Sequence, residues 1–202
     1  MSLQSDHSAS SEQGGEAPAL HHEYSPEERA VLLKLAHDSI ALELDGKEVP
    51  EEPPTGHLAE PRGAFTTVYV RGELRGCVGY VFPVHSLYRT VVETSRSAAF
   101  SDTRFESISK ADLPNLEVSL SVLSPIRPIR AEEVEIGRDG LIVSLHGNRG
   151  LLLPQVPVEH GWDRARFLEE TCRKAGLPRD AWQRGATIEA FSAEVFGDSS
   201  AT

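Results

Sequence analysis

Cys77 is the side chain with the most chemistry open to it in this sequence. It sits in Leu74-Arg75-Gly76-Cys77-Val78-Gly79. A thiolate is a nucleophile and a redox group, and a nearby cation or a helix N-terminus lowers the pKa that forms it. Arg75 lies two residues away, so on a regular strand both side chains share a face. The alternative is a small buried core cysteine, which is common. Thiol catalysis also takes a base, and His85 and His160 stand outside any motif around Cys77.

Arg75 and Arg104 have the fork that grips a carboxylate or phosphate through two parallel hydrogen bonds. Their other use is a structural ion pair with Asp102. Gly76 and Gly79 weaken a strand, which marks a bulge or a close approach by another backbone or a ligand. They lack the GxGxxG or Walker spacing of a phosphate cradle. Gln155, Glu159, Trp162 and Asp163 follow a strand end, with Trp162 as a stacking surface. The favoured reading is structural: Asp163 caps a helix and Trp162 is its hydrophobic staple. Cys172 lies on an apolar helical stripe and reads as core. The Cys and His spacings match no metal site, so no metal is expected, and no cofactor is identified.

These residues need elements to hold them. Phe65 to Val81 reads as a hairpin around Arg71-Gly72-Glu73. A first helix runs from a Ser25/Glu28 capping box to about Leu44, with Leu32, Leu35, Ala36, Ser39 and Leu42 on one face. A second covers about Ser86 to Ala99, and its small residues Ser95, Ser97, Ala98 and Ala99 predict close packing on a sheet. Leu116 to Leu123 alternates as a strand with one buried face. Leu141 to His146 reads as a strand joined through Gly147–Gly150 to Leu151–Leu153. A third helix spans Asp163 to Ala175 and stops at Gly176 and Pro178. Thr187 to Phe196 is the last strand, with a phase shift near Phe191 that reads as a bulge. The mixture without strict βαβ alternation predicts an α+β fold with a largely antiparallel sheet and packed helices.

Leu-Arg-Gly-Cys-Val-Gly resembles the signature of the AMMECR domain family, with Val78 where the usual form has Ile. Arg62–Phe65, Ala99–Phe105, Leu120–Pro125, Leu153–Val156, Gly161–Asp163 and Cys172–Gly176 resemble further family blocks in the same order. The resemblance covers roughly residues 26–197. It implies a larger and a smaller lobe with a groove between them. It also implies kinship with the first component of the AmmeMemoRadiSam set, hence Memo-like and radical-SAM proteins as partners. The site it implies is a groove built on the motif, with Cys77 as candidate nucleophile. Arg75, Gly76, Gly79, Asp102, Arg104, Gln155 and Trp162 would contact a ligand, for which the arginines favour a small anion. Two functions stay open: a small-molecule enzyme or ligand-binding protein, and a non-catalytic interaction or regulatory module. A nucleic-acid-related regulator ranks after both.

Composition sets bounds. The chain has 202 residues and a net charge of −11. Residues 1–24 hold four acids and no Lys or Arg, Asp198 adds one more, and the body carries −6. That balance argues against nonspecific nucleic-acid binding, which needs a basic footprint. Residues 1–24 read as a disordered acidic tail with a solvated His21-His22 pair, 25–197 as a single domain, and 198–202 as a second tail. No run reaches the roughly 20 apolar residues of a membrane span, no signal peptide is visible, and two cysteines 95 residues apart form no disulfide framework. A cytoplasmic setting is expected. Oligomeric state is not legible.

Overall fold

The computed structural model describes residues 23–49 and 55–198. The expected tail over 1–22 with its histidine pair, part of the proline-rich stretch at 50–54, and residues 199–202 lie outside that range. Eight strands run in the order β1 Ala64–Val70, β2 Glu73–Tyr80, β3 Leu116–Leu123, β4 Arg127–Pro128, β5 Gly140–Leu145, β6 Asn148–Leu152, β7 Thr187–Phe191 and β8 Ala193–Gly197. Four α-helices accompany them: α1 Pro26–Leu44, α2 Leu87–Phe100, α3 Gln155–Glu159 and α4 Arg164–Lys174.

The strands form two antiparallel four-stranded sheets, ordered β2-β1-β3-β8 and β4-β7-β5-β6. The expected α+β class is therefore realised as two sheets, each with its own helices. In the first lobe α1 and α2 cover one face. The buried side chains of β1 on that face are Ala64, Thr66, Val68 and Val70, and they share a core with Leu32, Ile40, Leu87 and Val91. α1 starts as its sequence predicts: the Ser25 side chain accepts from the Glu28 backbone and the Glu28 side chain accepts from the Ser25 backbone. Ile40 joins its buried face, while Leu42 is only half-buried.

In the second lobe α4 lies on β5 and β6 and closes a core of Leu141, Phe167, Leu168, Ile188 and Ala190. The lobes meet through Leu123, Ile142 and Phe191, with Phe65, Leu151, Leu153 and Ala193 packed around them. The chain crosses between lobes at Ser124 and at Ser192. Those two residues bond to each other: the Ser124 amide donates to the Ser192 carbonyl, and the Ser192 amide donates to Ser124 Oγ.

Ser192 explains the phase shift near Phe191. Thr187–Phe196 is not one bulged strand. It is two strands in different sheets, so the inward face changes where the chain leaves one core for the other. The β5–β6 hairpin also differs from expectation. Its turn is His146-Gly147, both with positive φ, and β6 already begins at Asn148. Gly150 lies within that strand because a Cβ there would meet the Ala175 backbone nitrogen at 2.2 Å. The short helix α3 is absent from the sequence reading. Pro154 at its N-cap and Pro157 in its first turn suit a helix start as well as a loop, because a missing N–H costs nothing there.

Candidate functional site

The motif lies on β2, an edge strand that among the described residues pairs only with β1. The pairing slips between Val68↔Gly76 and Tyr69↔Leu74, leaving Arg75 as the extra residue of a bulge. A bulge twists and re-aims the bulged residue, so Arg75 does not share the Cys77 face as on a regular strand. Its guanidinium donates to the Glu106 carbonyl at 3.2 Å and stands 3.9 Å from Asp112.

Both glycines make room for protein. A Cβ on Gly76 would come within 2.0 Å of the Ala98 carbonyl oxygen, so this position lets β2 lie directly on α2. Next to it α2 also lies on β1, where the Thr94 and Ser95 hydroxyls bond Thr66. A Cβ on Gly79 would enter the Phe65 ring, 2.3 Å away. Phe65 thus lies over Gly79 and carries the motif's edge into the contact between lobes.

Asp102 and Arg104 form the ion pair that was the alternative to an anion clamp. Their closest N–O distance is 2.7 Å. The pair also seals the free edge of β2. The Cys77 amide donates to Asp102 Oδ2 at 3.0 Å, and Arg104 donates to the Cys77 carbonyl at 3.2 Å. Both outward backbone groups of one edge residue are satisfied, as a further strand would satisfy them. The Arg104 hydrogen bonds, together with the Cys77 amide, hold the Asp102 carboxyl well below the usual carboxylate range.

The remaining motif side chain with chemistry open to it is that of Cys77. It is half-buried and unpaired with Cys172. By register it points away from α2, in a row across the sheet: Cys77 on β2, Thr67 on β1, Ser119 on β3 and Gly197 on β8. Thr67 Oγ1 donates to Cys77 Sγ at 3.4 Å. Ser121 lies on the same face in the next row, opposite Phe65. The result is a thiol on a small, hydroxyl-lined floor, bounded on one side by the contact between lobes. Thr67 and the serines were missed as site residues. The alternation of β1 and β3 put them on polar faces, but only the register lines them up with Cys77.

The other expected residues lie elsewhere. Trp162 packs on the second-lobe core with Leu152, on the α4 side of that sheet. Leu151 and Leu153, of opposite pleat, face the first lobe. Trp162 is therefore on the far side of its sheet from the motif. Asp163 caps α4 by accepting from the Arg166 amide at 2.8 Å, and Gln155 is exposed at the start of α3. His85 stands 3.8 Å from Glu93 and His160 stacks on Trp162, so neither is placed as a base for Cys77. Cys172 is fully buried, and burial pushes its thiol up. Among the described residues no three His, Cys, Asp or Glu side chains gather as a metal site, and no helix is long and apolar enough to cross a membrane.

The sequence profile of the AMMECR1 family matches residues 33–196, most of the chain and all but the last residue of its two sheets. The chain belongs to the AMMECR1 family. Protein MK0488 of Methanopyrus kandleri is 42% identical over 182 residues, covering 84% of this chain and 88% of that one. Protein MJ0810 of Methanocaldococcus jannaschii is 39% identical over 180 residues, with 84% and 90% covered. The crystal structure of PH0010 from Pyrococcus horikoshii superposes with a TM-score of 0.66 at 39% identity, covering 84% of this chain and 90% of that one. In this AMMECR1-family chain the motif does two jobs at once. Its glycines and charges build the strand's contacts, and its half-buried cysteine faces away from α2.

Proposed function

We propose that the chain is a cytoplasmic small-molecule binding protein whose ligand lies on the Cys77–Thr67–Ser119 floor, with the Cys77 thiol as the group that reacts with it or grips it. The observation that carries this reading is the row itself: a half-buried thiol 3.4 Å from a hydroxyl, on the face turned away from the helices. Pockets that orient small ligands combine apolar walls with a few placed polar groups, and Phe65 with this floor has that composition. In this reading Memo-like and radical-SAM proteins supply or consume the ligand. Arg75 and Arg104, which a small anion would engage, spend their hydrogen bonds on Glu106, Asp102 and the Cys77 backbone. The motif's contribution to binding is thus the thiol and hydroxyls.

A second reading has its own observation. Leu74, Tyr80, Phe82 and Val84, within and just after β2, are all exposed, Val84 by 71%. Such a run suits a protein partner. Affinity isolation of the tagged chain followed by native mass spectrometry separates the two. A small molecule retained by the wild type and lost from Cys77→Ala supports the binding protein. A protein partner lost on Val84→Glu, with Cys77→Ala indistinguishable from wild type, supports the interaction module.

A further inference from the structure

The second lobe carries a cleft of about 440 Å³ that the motif does not reach, lined by Leu152, Val156, His160, Trp162, Glu170, Arg173 and Lys174. Its walls follow from local structure. Gly150 lets the C-terminal turn of α4 rest on β6, which sets Leu152 opposite the turn from Glu170 to Lys174. Residues 170, 173 and 174 share one helix face by their i, i+3, i+4 spacing. α3 supplies Val156 and ends at His160, whose ring stacks on Trp162 with centroids 4.7 Å apart and planes 15° apart.

Charge decides what fits. Glu170 is 3% exposed and lines the cleft. Three guanidiniums surround it: Arg173 at 2.6 Å, Arg166 at 2.8 Å and Arg179 at 3.6 Å. Arg166 and Arg179 also reach Glu169. Two carboxylates thus face three arginines. Lys174 adds an exposed ammonium with no acidic partner among the described residues. The surplus is positive, in a chain whose overall charge is −11. Beside it lie the apolar side chains of Leu152 and Val156 and the flat edge of the His160–Trp162 stack.

We infer that this cleft is a second binding site, separate from the Cys77 floor, for a small anion joined to a flat unsaturated ring, of the size of a mononucleotide or an aromatic carboxylate. The anionic group sits between Lys174 and Arg173, whose donors make charge-assisted hydrogen bonds. The ring lies on Leu152 and Val156 against Trp162. The volume falls in the range of small-molecule pockets, roughly 300–1,000 Å³.

The test uses the full chain, ¹⁵N-labelled, titrated with matched pairs: adenosine 5′-monophosphate against adenosine, and indole-3-carboxylate against its neutral amide. Inorganic phosphate alone completes the set. A Trp182→Phe variant assigns the Trp162 indole N–H. At least one anionic ring compound is expected to shift the Trp162 indole and the Lys174 amide saturably, and its neutral match and phosphate to bind more weakly. Lys174→Ala leaves every ion pair on Glu170 in place and should weaken binding about tenfold, the loss of one charge-assisted contact. Cys77→Ser should bind as wild type does. The inference is overturned if no anionic member shifts these signals. Equal binding by neutral matches, or unchanged affinity in Lys174→Ala, overturns it as well.

Discussion

At the scale of single residues, Asp102 ties the motif's backbone to the loop after α2. Its carboxylate accepts from Cys77, from the Arg104 backbone and from the Arg104 guanidinium. A carboxyl held low in the fold contributes stability above its unfolded pKa of about 3.9, and that contribution is lost as pH falls towards the folded value. Asp102→Asn should therefore lower the urea midpoint at pH 7, and its gap to the wild type should shrink as pH drops below about 4. A gap constant down to pH 3 would remove the ion pair from the account. Tyr24 gives the alkaline counterpart. Burial, with Glu23 beside it, pushes its phenol up to about 12. Stability from the neutral phenol is present below the unfolded value of about 10 and lost as pH rises through the folded one. Tyr24→Phe should outlast the wild type in unfolding measured between pH 10 and 12. The candidate site was legible in part at this scale. Cys77 and the glycines stand out by type in a strand sequence. The glycines marked a bulge or a close approach in this strand, but not that Arg75 is the residue left without a partner on β1, because the register is set by the pairing and not by the residue.

At the scale of elements, the strand-to-helix contact at Gly76 is the tightest constraint on the motif. Gly76→Ala would press a methyl into the Ala98 carbonyl, which is backbone and cannot rotate away. A destabilisation of about 3 kcal/mol follows from overpacking of this kind, measurable by urea denaturation. A cost below 1 kcal/mol would mean that β2 and α2 part easily. Ser25→Ala removes one half of the capping box of α1 and should cost about 1 kcal/mol. α1 and α4 were readable because caps and periodicity agree in each, α2 by its run of small residues, and β3 by its clean alternation. β7 and β8 were not separable, because a strand that changes sheets and one that bulges leave the same phase shift. α3 was hidden by prolines that suit a first turn as well as a loop.

At the scale of the molecule, the two lobes share the contact of Leu123, Ile142 and Phe191, and Ser124 and Ser192 lock the two crossings. Both tryptophans, Trp162 and Trp182, pack in the second lobe, so their fluorescence reports that lobe while circular dichroism reports both. In the wild type the two signals should unfold together. Phe191→Ala, at a site 1% exposed, should cost about 3–5 kcal/mol and bring the fluorescence transition to lower urea than the dichroism transition. Coincident transitions in that variant would show that the contact does not couple the lobes. The sheet-by-sheet division lay outside the reach of the sequence, since alternation marks a strand's buried face but not which sheet claims it. The molecule holds one partly exposed thiol, Cys77, and one sealed thiol, Cys172. Native-state alkylation with iodoacetamide across pH 5 to 9, read by peptide mass spectrometry, tests it directly. Cys77 should be carbamidomethylated while Cys172 stays intact until the protein is unfolded. Equal protection of both cysteines in the native state would make Cys77 a packing residue and contradict the site.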